Sequence, residues 1–105
     1  SIFEELGRSP DLTPFRALIE PLETYDREHN SDLIRTLRAF FAANANASEA
    51  ADRLYLHRNS LPYRLSRIGE LTGVDLKDHR VRLALQLGLL AMTTERSRDD
   101  EDERP

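Results

Sequence analysis

Residues 48–72, SEAADRLYLHRNSLPYRLSRIGELT, read as two short helices joined by a tight turn. Ser48 can cap the first, which would bury Ala51 and Leu54 and leave Glu49, Asp52 and Arg53 toward water. In the second, over about 58–72, Leu61, Leu65, Ile68 and Leu71 recur at helical spacing. Gly73-Val74 then gives the glycine cap and apolar contact that end a helix. The charged residues from His57 to Ile68 are Arg58, Arg64 and Arg67, with no acid before Glu70. This is the layout of a helix-turn-helix, whose second helix enters the major groove of duplex DNA.

The flanking sequence extends the helical pattern in both directions. Thr13-Pro14 reads as a helix start, with Phe15, Leu18, Ile19, Leu22 and Tyr25 on one face. Pro21 inside that run predicts a kink or a fresh start near Glu20, with the second piece ending at about Glu28. Asn30 or Ser31 can cap a third helix through Leu33, Ile34, Leu37, Phe40 and Phe41, broken at Asn44-Ala-Asn46. Asp75 or Asp78 can open a last helix that continues to Leu90 or Met92. Its apolar residues lie nearly all round, which predicts an enclosed helix, and Gly88 predicts close approach by a neighbour. Nothing alternates with period two for long enough to make a strand. The expected fold is all-α, a small bundle of about five to six helices with the helix-turn-helix at 48–72.

Composition narrows the function classes. At 105 residues without cysteine, the chain can build one core, and packing must hold it. No apolar run reaches the roughly 18 residues of a membrane span. His29 and His79 lack a second ligand at metal spacing, and no phosphate loop or nucleophile–base pair can be assembled, so neither metal, cofactor nor enzyme activity is expected. Glu23, Asp26 and Glu28 read as a solvated helix face. The net charge of −4 is concentrated at the end: residues 95–105 hold six acids against three arginines. They read as an acidic, disordered tail after a helical domain spanning 1–94. The start at Ser1 without methionine reads as a C-terminal piece of a longer protein.

The segment LIRTLRAFFAANANASEAADRLYLHRNSLPYRLSRIGELTGVDL, with the leucine-rich helix after it and LIEPLETYD before it, resembles the C-terminal helix-turn-helix domain of PucR/CdaR-type bacterial transcription regulators. The resemblance covers roughly residues 18–92 and is most specific at HRNSLPYRL and ELTG. It implies an all-helical domain that binds double-stranded DNA, with a sensor domain further N-terminal; the lack of cysteine suits a reducing cytoplasm, the expected location. Carried over by position, His57, Arg58, Asn59, Ser60, Tyr63 and Arg64 match the family's signature. Pro62 stands where an arginine is commoner, and Tyr55 stands where many such turns have glycine.

Each candidate carries a role and a competing reading. Arg58 is placed to read a base, guanine above all, and Asn59 to read adenine unless it caps the helix. Asn59 and His57 are the rival caps. Ser48 and Ser60 sit near helix starts suited to phosphate oxygens. Arg64 and Arg67 would grip phosphate, although Arg64 can instead pair with Glu49 or Asp52. Tyr63 can bond DNA or pack its ring. The expected assembly is a homodimer of full-length regulators on paired half-sites, the alternative being a helical interaction or dimerisation module that binds no DNA.

Overall fold

The computed structural model describes residues 1–102. Within them lie six α-helices and one 3₁₀ turn, with no strand. Thr13 and Pro14 open α2 (Thr13–His29), and the turn Pro10–Leu12 leads into it. Pro21 does not divide this helix. Ala17, whose carbonyl loses its partner one turn earlier, is exposed, so water can satisfy that oxygen. Asn30 ends α2 in a left-handed conformation at φ 50°.

The next helix, α3 (Leu33–Ala42), starts without a side-chain cap from Asn30, Ser31 or its own N-cap residue Asp32. Asp26 supplies the cap from the preceding helix. Its carboxylate accepts from the backbone N–H of Leu33 at 2.8 Å and of Ile34 at 3.0 Å, and from the Ser31 hydroxyl. The reading of Asp26 as part of a solvated face is therefore corrected. Ser48 is also displaced as a cap: α4 (Ala47–Arg53) is capped by Asn46, whose Oδ1 accepts from Glu49 N at 3.0 Å. Asn46 is extended, at φ −91° and ψ 109°, as a capping residue must be, and Ser48 falls inside the first turn.

The second helix of the motif is α5 (Ser60–Thr72), closed by Gly73 at φ 73°. The last, α6 (His79–Asp102), is preceded by Asp78, whose carboxylate accepts from Arg80 N at 2.9 Å. The helix passes the expected stop near Met92, and residues 95–102, expected as a disordered tail, are helical. No glycine or proline interrupts them, and arginines stand three and four residues from acids. Residues 103–105, the rest of that tail, lie outside the described residues. A helix not foreseen, α1 (Ile2–Gly7), opens the chain with a capping box between Ser1 and Glu4.

Two apolar clusters organise the packing. Ile19, Leu22, Leu33, Leu37, Ile68, Leu85, Leu89 and Met92 join α2, α3, α5 and α6. Phe40, Ala43, Ala50, Ala51, Leu54 and Leu61 join α3, α4 and the start of α5. Thus α5 is keyed into one cluster through Leu61 and into the other through Ile68, with Leu65 packed against both. Antiparallel α2 and α6 meet at Gly88, where a side chain would run into the Phe15 carbonyl and Ile19, so the close approach expected there is present. Enclosure of α6 is incomplete, since Leu83 is exposed.

Candidate nucleic-acid interface

Between α4 and α5 the chain turns through Tyr55, which takes φ 56°. That is the left-handed conformation for which many such turns use glycine. Tyr55 tolerates it with its ring 95% exposed, clear of any packing. The turn also closes through Leu56 N donating to Ala51 O at 2.9 Å. Leu54 and Leu61 then fasten the two helices into the smaller cluster.

The start of α5 resolves the competition between His57 and Asn59. Asn59 occupies the N-cap position but makes no side-chain cap bond. His57 braces the turn before the helix, its Nδ1 accepting from Asn59 N at 3.1 Å and its carbonyl from Ser60 N at 2.9 Å, so neither side chain caps the first turn of α5 itself. The Asn59 side chain is exposed and unspent. Pro62 sits at the third helical position, where a missing N–H breaks no intrahelical bond.

The outer face of α5 follows from the burial of Leu61 and Ile68. Arg58, Asn59, Pro62, Tyr63, Ser66 and Glu70 are exposed, Tyr63 at 65%. Arg58 makes no ion pair among the described residues. Arg67 lies over the rings of Tyr63 and Tyr25, at 5.8 and 5.9 Å from their centroids, and donates to the Tyr63 hydroxyl at 3.2 Å. That hydroxyl, with the neighbouring Glu70, raises the guanidinium above its usual range. The Tyr63 ring and hydroxyl both meet Arg67.

Arg64 is turned the other way. Its Nη1 donates to Asp32 Oδ1 and, at 3.0 Å, to Thr36 Oγ1, both on the α3 side. The pairing with Glu49 or Asp52 weighed from sequence is not formed: Glu49 pairs with Arg53. Asn59, Ser60, Tyr63, Arg64 and Arg67 share one open groove of about 740 Å³ with Tyr25 across it. Ser48, His57 and Arg58 lie outside that groove, Ser48 exposed in the first turn of α4. Sequence reasoning missed Tyr25, stacked on His29 at 4.1 Å, and Asp32. The spacing from Tyr25 to Arg67 and from Asp32 to Arg64 has no local signature, because it depends on how three helices cross.

Among the described residues no group of histidines and acids could hold a metal ion, and no helix is long and apolar enough to cross a membrane.

Residues 33–91 match the model of the PucR C-terminal helix-turn-helix domain. The chain is 38% identical over 71 residues to the proline-responsive transcriptional activator PutR of Bacillus subtilis, covering 68% of this chain and 17% of that protein. It is 42% identical over 73 residues to the carbohydrate diacid regulator of Escherichia coli, covering 69% and 19%. Against the purine catabolism regulatory protein of B. subtilis it is 38% identical over 63 residues, covering 60% and 12%. The chain thus spans less than a fifth of the length of these relatives. No solved structure matches it.

Proposed function

Since the chain belongs to the PucR C-terminal helix-turn-helix domain family, we propose that it is the DNA-binding output domain of a transcription regulator and reads duplex DNA through residues 57–67. The observation that carries this reading is the outer face of α5, where Arg58, Asn59, Tyr63 and Arg67 stand clear of both cores and the helix's one acid, Glu70, lies at the far end, paired with Arg67 at 3.4 Å. Arg58, at the end that enters the groove, reads a base edge, and the uncommitted Asn59 side chain reads a second. His57 shapes the entry to the helix and presents the rest of its ring at the same edge. Ser60 at the start of α5 and Ser48 in the first turn of α4 meet phosphate oxygens, as helix starts do. Arg67, held out by Tyr63 and Tyr25, meets phosphate, and Tyr63 contacts the backbone beside it. The relatives are named as a proline-responsive transcriptional activator, a carbohydrate diacid regulator and a purine catabolism regulatory protein, which supports regulation and not catalysis. In the cell the domain works in the cytoplasm at the end of a longer protein whose preceding part senses the signal, as a homodimer on paired half-sites.

The test begins by selecting bound duplexes from a random pool with the native domain. Arg58→Ala is then expected to cost about 1–3 kcal/mol on the selected duplex and to relax preference at one base pair. Binding of selected and random duplexes unchanged by that substitution would remove α5 as the reading helix. A helical interaction module remains the second reading, favoured by the exposed Ile2 and Phe3 of α1 and Leu83 of α6. It expects a mass in gel filtration that grows with concentration and no affinity for random duplex at low salt.

A further inference from the structure

Arg64 belongs by position to the signature string, yet its side chain is only 25% exposed and, within the groove it shares with Asn59, Tyr63 and Arg67, is turned to the α3 side. Its guanidinium enters a chain of polar contacts that crosses three helices. On α2, Asp26 accepts from Ser31 Oγ, Leu33 N and Ile34 N, and so holds the first turn of α3. In that turn Thr36, the one fully buried polar side chain among the described residues, donates its hydroxyl to Asp32 O at 2.9 Å. The same Thr36 oxygen and the Asp32 carboxylate then accept from Arg64 Nη1 on α5. Every buried side-chain polar atom described is satisfied.

We infer that Arg64 is a positioning residue and not a phosphate ligand: with Asp32 and Thr36 it fixes the rotation and tilt of α5, and thereby the direction in which Arg58, Asn59 and Tyr63 face. Apolar contacts at Leu61 and Ile68 hold α5 against the body, but such contacts are non-directional and permit some rolling of the helix. A planar guanidinium bonded at one nitrogen to a carboxylate and a buried hydroxyl is directional, and it sits midway between the two apolar anchors. Base readout depends on side-chain placement, whereas phosphate attraction tolerates small rotations. Losing Arg64 should therefore damage discrimination more than overall affinity. This inference rests on the DNA-binding reading above.

Two mild substitutions test it, read as the ratio of affinities for the selected and a random duplex and as the salt slope. Arg64→Lys keeps a charge that serves a phosphate equally well, but its side chain ends one bond short of the place where Nη1 meets both Asp32 and Thr36. Asp32→Ala removes the partner without uncapping α3, because Asp26 provides that cap and Asp32 makes no side-chain cap bond. Positioning expects both variants to lose roughly tenfold in the ratio, about the effect of one mismatched base pair, with the slope on random duplex unchanged. A phosphate role expects Arg64→Lys to keep the native ratio, and Asp32→Ala to steepen the slope by about one unit as the guanidinium is released. Either of those results overturns the inference while leaving the domain a DNA binder. Failure of the native domain to bind any duplex would instead overturn the DNA-binding reading itself. Thermal melts of both variants accompany the measurements; if Asp32→Ala does not fold, the Arg64→Lys ratio decides.

Discussion

Tyr55 shows how a single residue can carry a backbone conformation against its own preference. A non-glycine residue in the left-handed region costs on the order of 1–2 kcal/mol, and here the cost is accepted because the turn must bring Leu54 and Leu61 into one cluster. The exposed ring gains nothing in return. Tyr55→Gly removes the steric cost but gives the unfolded chain more freedom, so a net gain of about 0.5–1 kcal/mol is expected. A urea unfolding midpoint that moves upward with unchanged slope checks it; a lower midpoint would mean the ring contributes packing. His57 and Asn59 make the complementary point. Either was placed to cap α5, yet the ring nitrogen of His57 bonds Asn59 N in the turn before the helix and the Asn59 side chain bonds no N–H of the first turn.

Among the elements, helix starts are where sequence and structure part most often, because several side chains compete for the same unpaired N–H groups. Ser48 and Asn46 both suit a cap for α4, and the extended backbone at Asn46 selects it. Asn46→Ala is expected to lower stability by about 1 kcal/mol, whereas Ser48→Ala should stay within about 0.5 kcal/mol, both by chemical unfolding. Equal effects would show that the cap is shared. Gly88 reports instead on how two helices meet. Alanine would gain about 1 kcal/mol in helix propensity, but its methyl has to displace the Phe15 backbone and Ile19. Gly88→Ala is therefore expected to destabilise by about 2 kcal/mol net, the overpacking cost exceeding the propensity gain. A variant as stable as the native chain would mean that α2 and α6 separate without penalty.

At the scale of the whole molecule, charge is divided by the antiparallel arrangement of α2 and α6. Glu95 of α6 bonds Arg16 near the start of α2, and α6 then runs on beyond that end. Arg67 meets α2 at Tyr25, nine residues further along, about 14 Å at the helical rise. That exceeds the screening length of about 8 Å at physiological salt. A chain ending at Arg96, which keeps Glu95 and loses the acids after it, is therefore expected to bind random duplex at 0.15 M salt, roughly physiological, within about twofold of native, with the same salt slope. A clearly tighter complex would show that the acidic end reaches the basic face. The net charge of −4 is thus a poor guide to what the outer side of α5 presents.

The sequence by itself determined the helical class, the helix-turn-helix and the exposed side of its second helix, because apolar side chains repeating about every 3.6 residues and the Gly73 stop are local signals. It also carried the family, through HRNSLPYRL and ELTG. Only the tertiary structure decided what the polar side chains do. Asp26 caps a helix other than its own, Arg64 turns inward to Asp32 and Thr36, and Arg67 rests on Tyr25. A charged side chain on a helix has the same spacing whether it meets water, a phosphate or a neighbouring helix. Its partner is set by crossing angles between elements far apart in the chain, which no local pattern encodes.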